Sequence, residues 1–501
     1  MQDLPENLYK VESVVKLEQI AINQYAIAGY ELMKRAGKAV YQVLESNYSH
    51  DNKILVLCGA GNNAGDGYVV AKLASENGFD VRLISLIDPL TLTNEASFAY
   101  QDWLDVGKIS EPDLACIEQA DIIVDALLGT GLTRDVSGNW AEWISAVNQS
   151  SSSVVAIDVP SGLIADTGSI AGVAIKANTT VCFIGLKQGM FTAQGKDLCG
   201  EVIFNDLDLH EQVYNEVAAD ARLLKAVDYS LLPKRSASSN KGNFGHVLIV
   251  AGNTGMPGAA ILAARAALRT GAGLVTIITV AENLSAICSA VPEAMVKCCD
   301  AESISGVLTE KMIESITHIA IGMGLAQDDW SLSLLRYCIA LNKPILLDAD
   351  ALNLITQHRL RIDSPMVITP HPGEAARLLS DRTTFTSADV QRDRFCVIRQ
   401  LHDMFAVSGA CTVILKGSGT LIFDGKAVKV CSLGSAAMAA PGMGDVLSGI
   451  VIALMAQGIK IPDAAELAVC IHASAAEKKS GNRTRGLLAS DIIDVLTEFV
   501  Q

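Results

Sequence analysis

Residues 53–73 read KILVLCGAGNNAGDGYVVAKL, a short apolar run that empties into a Gly/Asn loop and continues as helix-like sequence. The pattern is strand, loop, helix. Further apolar runs at 81–87, 121–125, 154–158 and 179–184 are each separated by enough residues for a crossover helix, which predicts a parallel, doubly wound sheet. The second half opens the same way, with GHVLIVAG at 245–252, a Gly-rich turn at 253–258 and a helix of small residues. Strands are predicted there at 274–280, 317–321, 344–348, 366–369, 411–415 and 420–423. Both halves are therefore α/β. At 501 residues the chain exceeds what one core usually organises. Between 206 and 241 the pattern lapses into acidic and then Ser/Lys/Arg-rich sequence, so the expected domains are 1–218 and 219–501.

Composition narrows the function classes. Half of the residues are hydrophobic and 19% are charged, as in ordinary globular α/β proteins. The net charge is -16, and no basic run or Lys/Arg stripe is present to track a nucleic-acid backbone. An acidic surface repels anions at long range, so a nucleotide site must rely on local amides and a few cations. None of the twelve cysteines is spaced as Cys-x-x-Cys, and most are expected to be buried, reduced thiols. The opening MQDLPENLYK does not read as a secretory signal, and no apolar stretch is long enough to span a bilayer. The expectation is a cytoplasmic protein with neither nucleic acid nor membrane as partner.

The segment GMGDVLSG at 442–449 carries the strongest chemical signal. Its glycines allow close backbone approach, and the apolar stretch behind it reads as a buried helix whose positive end faces the turn. A carboxylate set there can take a proton from a hydroxyl attacking phosphorus, which makes Asp445 the candidate base. A helix-capping Asp is the structural alternative. Lys416, Gly417, Ser418, Gly419 and Thr420 offer a cation, hydroxyls and amides between two strands, as a phosphate loop or simply a tight hairpin. TPHPGE at 369–374 holds His371 and Glu374 in a Pro-stiffened loop, LDADALN at 347–353 puts Asp348 and Asp350 at a strand end, and GMG at 322–324 ends another strand.

Taken in order, KGNFGHVLIVAG (241–252), GAAILAARAALRTGAGLVT (258–276), IGMGL (321–325), LDADALNL (347–354), TPHPGEAARLL (369–379), VILKGSGT (413–420) and GMGDVLSGI (442–450) closely resemble the NAD(P)H-hydrate dehydratases, a ribokinase-like family. The resemblance runs over about 224–498. It implies a lyase that restores NADH or NADPH from the hydrated form, with ADP in bacterial members and Mg2+ accompanying the nucleotide. By this resemblance Asp445 activates the C6 hydroxyl, Gly444 and the 416–420 loop hold the nucleotide, and Ala259, Gly324 and His371 contact the hydrate. The family usually has Thr or Ser and then Gly where Ala440 and Pro441 stand, so one hydroxyl and one amide donor are missing.

The first half resembles the NAD(P)H-hydrate epimerases over about residues 4–215, through LPENLYKVESVVKLEQIAINQYAIAGYELMKRAG (4–37), CGAGNNAGDGYVVAKL (58–73), DALLGTGLTRDVSG (125–138), AIDVPSGL (156–163) and FIGLKQG (183–189). This implies a Rossmann-like domain that interconverts the two C6 epimers. Asn62, Asn63, Ala64, Gly65 and Asp66 read as a turn of amides and side-chain donors before a helix N-terminus, suited to a diphosphate. The resemblance assigns the loop Gly129, Thr130, Gly131, Leu132, Thr133, Arg134 and Asp135 to substrate contact. Asn63, Asp125 and Ser161 supply hard oxygens from separate strand ends, which in the family bind potassium. Asp158 is the candidate acid/base. Lys187 is either its electrostatic partner or a solvated surface lysine. The expected partners are NADHX, NADPHX and ADP, in a homo-oligomer. Two readings of other classes stay open: a ribokinase-like small-molecule kinase, and a non-catalytic nucleotide-binding protein.

Overall fold

The computed structural model describes residues 4–301, 303–380, 384–406 and 410–500, and the chain divides into two compact units, Met1–Arg222 and Leu223–Gln501. In the first unit seven strands form one sheet in the spatial order Ile109–Ser110, Asp80–Ser85, Lys53–Cys58, Ile122–Ala126, Ser153–Ile157, Thr179–Phe183, Glu201–Asn205. Every neighbouring pair is parallel. Side chains alternate across the strand plane, so Leu55 and Leu57 join one apolar cluster while Ile54, Val56 and Cys58 join another. Both faces are thus covered, which is why the strand reads as an unbroken apolar run. The order of strands reverses between Lys53–Cys58 and Ile122–Ala126, and ligand crevices of such sheets lie at the carboxyl ends of the strands flanking that point.

The second unit contains a nine-strand run in the order Met295–Cys298, Leu274–Thr279, His246–Val250, His318–Ile321, Ile345–Leu347, Met366–Ile368, Cys411–Leu415, Thr420–Phe423, Val428–Cys431. The first seven are parallel and the last two are added antiparallel. The helix Met443–Ala456 is buried without interruption from Val446 to Ala456 and packs on the helix Pro257–Thr270. Contact is close enough that a Cβ at Gly449 would lie 2.3 Å from the Ala263 carbonyl.

Two expectations change in detail. The strands Glu201–Asn205, Met295–Cys298 and Val428–Cys431 extend the sheets beyond the runs expected from sequence. The stretch at 206–241 carries a short helix, Glu211–Asn215, and a strand, Ala221–Leu224, rather than connection alone. All twelve cysteines are free thiols and eight are buried. Among the described residues no helix is long and apolar enough to cross a membrane.

Candidate functional site

In the second unit the helix Met443–Ala456 starts after Gly442, which takes φ +83° and leaves Asp445 at the third helical position. Asp445 does not cap the helix, so the capping alternative falls away. The first-turn amides precede the first intrahelical bond, Val446 N–H to the Gly442 carbonyl at 3.1 Å, and face outward from the positive helix end. Burial first, and the neighbouring Asp348 carboxylate second, push Asp445 up to about 7 against the opposing pull of Lys416.

Asp348, 1% exposed, ends the strand Ile345–Leu347 and organises this corner. It accepts from Lys416 Nζ at 2.7 Å and from Ser448 Oγ at 2.9 Å. Lys416 Nζ also lies 3.9 Å from Glu374, and burial, which lowers its proton affinity, is outweighed by these carboxylates. Gly444 lies against this pair: a Cβ there would sit 3.4 Å from Lys416 Nζ, in ordinary contact. Asp350, the second carboxylate of the segment, turns away to accept from the Ala326 amide at 2.9 Å.

His371 and Glu374 form a reciprocal cap of the helix Pro372–Leu379. His371 Nδ1 accepts from the Gly373 and Glu374 amides at 3.0 and 3.3 Å, and Glu374 accepts from the His371 amide at 2.7 Å. Burial, then the charges of Lys416 and Arg377, lower the His371 pKa and keep the half-exposed ring neutral. Gly324, at φ +55°, approaches Ala259 so closely that a Cβ would lie 2.9 Å from the Ala259 methyl, and Gly322 rests on the Asp348 carbonyl. Residues 416–420 are the turn of an antiparallel hairpin, exposed at Gly417 and Ser418, with Thr420 Oγ1 donating inward to the Gly417 carbonyl at 3.1 Å. The backbone thus gathers Asp445, Gly444, Lys416 and His371 around Asp348, with Gly324 and Ala259 alongside. Pro441 is exposed immediately before this corner.

In the first unit Asn62 is already the first residue of the helix Asn62–Glu76, so the expected turn at 62–66 is instead the opening of the helix itself. The small residues allow this: Ala64 and Gly65 are buried, and a Cβ at Gly65 would lie 2.5 Å from the Met33 methyl. Gly61 supplies the tight entry at φ +75°. Residues 129–135 form an irregular loop after the strand Ile122–Ala126, exposed at Gly131 and from Thr133 to Asp135.

Asp158 holds φ +63°, an uncommon conformation for a residue with a side chain, directly after the strand Ser153–Ile157. Lys187 is 1% exposed and forms a short ion pair with Asp158, so the surface alternative for this lysine is excluded. Its ammonium also donates to the Phe183 carbonyl at 3.0 Å. Burial opposes the charge of Lys187, yet Asp158 raises its pKa overall. Asp66 is raised well above the usual carboxylate range, by burial and then by the charges of Asp158 and Glu18. Sequence reading missed Glu18, which comes from the helix Val11–Tyr25 and is raised by burial and then by the charges of Asp158 and Glu95.

Asp125 is fully buried at the end of its strand, accepting from Ser161 Oγ at 2.5 Å, the Ser161 amide at 2.8 Å and the Leu127 amide at 3.2 Å. Burial still lifts it to about 6. Asn63 is buried with an unpartnered side-chain amide nitrogen, and Gly129 packs against its Cβ. The Asp125 carboxylate, the Ser161 hydroxyl and the Asn63 side-chain oxygen are hard donors of the kind a monovalent cation takes, whereas the unpartnered Asn63 nitrogen is a donor that calls for an acceptor. Among the described residues no group of three or more His, Cys, Asp or Glu side chains forms a metal cluster.

Comparison with known proteins gives this geometry its context. Residues 247–498 match the family model described as NAD(P)H-hydrate dehydratase, and residues 29–189 match the YjeF-related protein N-terminus. The bifunctional NAD(P)H-hydrate repair enzyme of Vibrio cholerae is 40% identical over 505 residues, covering 99% of each chain. That of Coxiella burnetii is 40% identical over 502 residues, covering 98% of this chain and 99% of the relative. Among solved structures, an ADP/ATP-dependent NAD(P)H-hydrate dehydratase from Bacillus subtilis is 28% identical, with a TM-score of 0.48 over 54% of this chain and 94% of that one. Both matches fall on α/β units built around parallel sheets. Two family matches in sequence order and full-length relatives at this identity place the chain among the bifunctional NAD(P)H-hydrate repair enzymes, with metabolite repair, by epimerase and dehydratase activity, as its function.

Proposed function

We propose that residues 1–218 epimerise hydrated NADH and NADPH at C6 and that residues 219–501 dehydrate the S form at the expense of ADP, giving AMP and phosphate. The observation that carries the second assignment is Asp445, a carboxylate brought to about 7 at a buried helix N-terminus. Such a base is half ionised near neutrality, where proton transfer from a hydroxyl is most effective.

In this reading Asp445 takes the proton of the C6 hydroxyl as its oxygen attacks the terminal phosphorus of ADP. The resulting ester leaves as phosphate when the ring nitrogen lone pair expels it. Loss of the C5 proton then restores the dihydronicotinamide. Lys416, the amides of 417–420 and the Gly444 amide receive the nucleotide, and the helix-end amides stabilise the transferred charge. Ala259, Gly324 and His371 line the hydrate side, where the neutral imidazole suits hydrogen bonding rather than charge pairing. Magnesium entering on the nucleotide would neutralise phosphate charge.

For epimerisation, the ring nitrogen lone pair expels the C6 oxygen as water, with Asp158 giving it the proton it needs, and water re-adds to either face of the C6–N iminium as Asp158 takes the proton back, while buried Lys187 holds the carboxylate in place. The first turn from Asn62 to Asp66 and the loop from Gly129 through Thr130, Gly131, Leu132, Thr133 and Arg134 to Asp135 receive the substrate, with amides directed at its diphosphate. A potassium ion on Asn63, Asp125 and Ser161 would add fixed positive charge beside that loop.

The test mixes the purified chain with both epimers of NADPH hydrate, Mg2+ and either ADP or ATP, and follows the absorbance of regenerated NADPH. Recovery of both epimers with ADP is expected. No recovery with either nucleotide refutes the dehydratase assignment, and accumulation of a stable phosphorylated product would establish a kinase instead.

A further inference from the structure

Arg394 lies on the helix Arg394–Phe405, outside every motif of the family resemblance, and is 0% exposed. Its guanidinium meets no carboxylate among the described residues. It donates instead to backbone carbonyls of the 416–420 hairpin: Nη2 to Leu415 at 3.0 Å, Lys416 at 3.3 Å and Gly419 at 3.4 Å, and Nη1 to Lys416 at 3.3 Å. Nη1 also donates to Gln391 Oε1 at 3.2 Å, while Nε is buried without a partner. The fit is tight, since a Cβ at Gly417, φ +136°, would lie 2.7 Å from Nη1.

In a trans peptide the C=O and N–H point in opposite directions. Holding the Lys416 carbonyl on Arg394 therefore turns the Gly417 N–H to the far side of the loop. That N–H has no acceptor among the described residues. The lysine itself is fixed at both ends, its amide donating to the Pro370 carbonyl at 2.9 Å and its Nζ to Asp348 at 2.7 Å. A buried cation normally requires a paired anion. Here the carbonyl oxygens of the hairpin take that place among the described residues, which leaves the positive charge free to act across the loop.

We infer that Arg394 is a positioning residue for the nucleotide: it clamps the carbonyl side of the 416–420 hairpin, presents the amide side to the phosphates, and has its own charge balanced by them across the loop. The inference rests on the reading of this hairpin as the nucleotide site. No contact between Arg394 and the nucleotide is implied, because the loop backbone lies between them.

The experiment compares the full-length wild type with Arg394→Lys and Arg394→Met, by calorimetric titration with ADP and separately with NADPH hydrate, and by steady-state kinetics. Lysine keeps the charge but cannot hold three carbonyls at once. The expected result is an ADP Kd and KM weakened by about ten-fold or more in Arg394→Lys and further in Arg394→Met, with hydrate affinity and kcat at saturating ADP changed by less than about two-fold. ADP binding within about two-fold of wild type in a folded Arg394→Lys overturns the inference alone. A wild type that binds no ADP overturns it together with the nucleotide reading. If neither variant folds, the wild type decides: the Arg394 Nε–H resonance moves on ADP titration if the charge is balanced by phosphate, and a resonance unmoved at saturation overturns the inference.

Discussion

Replacing Asp445 by Asn separates the catalytic role of this carboxylate from its cost to the fold. Burial and Asp348 bring its pKa to about 7 in the folded chain, against 3.8 for an ordinary Asp. The folded state therefore binds this proton more tightly than the unfolded state does. The stability associated with the protonated form is fully present below about pH 4 and is lost as the pH rises through about 7. The gap corresponds to about 4 kcal/mol at most, and access of water to the site discounts it to about 2–4 kcal/mol. Asn stays neutral throughout, so the variant escapes the loss. At about 2 °C per kcal/mol for a unit of this size, Asp445→Asn raises Tm by about 4–8 °C at pH 8 and leaves it unchanged at pH 4. Thermal unfolding of the ligand-free chain at the two pH values measures this, and the transition that ADP shifts identifies the relevant unit. Dehydration meanwhile falls by about 10²–10⁴-fold, with epimerisation retained. Equal stability of variant and wild type at pH 8, or the same offset at both pH values, would refute the reasoning.

Lys187→Met leaves Asp158 without its buried partner, so epimerisation falls by at least about ten-fold while the S form is still consumed, and absorbance recovery from an epimer mixture stops part-way. Full recovery at the wild-type rate would count against the pair. Pro441→Gly restores a backbone donor beside the helix end and lowers the KM for ADP by about three- to ten-fold, with kcat steady, as initial rates over an ADP series will show. Asp125→Asn removes the buried carboxylate of the Asn63–Ser161 site. Epimerisation should then lose any dependence on potassium over sodium salts, whereas unchanged salt dependence would move the ion elsewhere.

The sheets were legible because parallel strands buried on both faces need unbroken apolar runs, and Lys53–Cys58 and His246–Val250 are such runs. Glu201–Asn205 was not, since this edge strand is only half-buried and carries polar ends. The Asn62 helix start was obscured by Asn and Gly, residues that usually signal loops, although here Gly65 is required by close packing against Met33. Asp445 could be read locally because its glycines and helix are contiguous in sequence. Burial of Lys187 could not, because it depends on a partner 29 residues away. Asp348 and Asp350 looked equivalent two residues apart. Only the three-dimensional path of the strand end shows that Asp348 enters the corner while Asp350 holds the neighbouring loop.

The crowding around the helix Met443–Ala456 bears on how this enzyme can diverge. Gly442 needs its positive φ and Gly449 rests on the Ala263 carbonyl, so two positions within eight tolerate almost no side chain. Selection acting on nucleotide preference or turnover has little room there, and drift is confined to the exposed lip just upstream. Of the two residues that depart from the usual family pattern, Pro441 lies on that lip and Ala440 is half-buried against the core beside it. Lineages of this enzyme should therefore differ most in the two residues before the turn, while the turn itself stays fixed by steric exclusion as much as by chemistry.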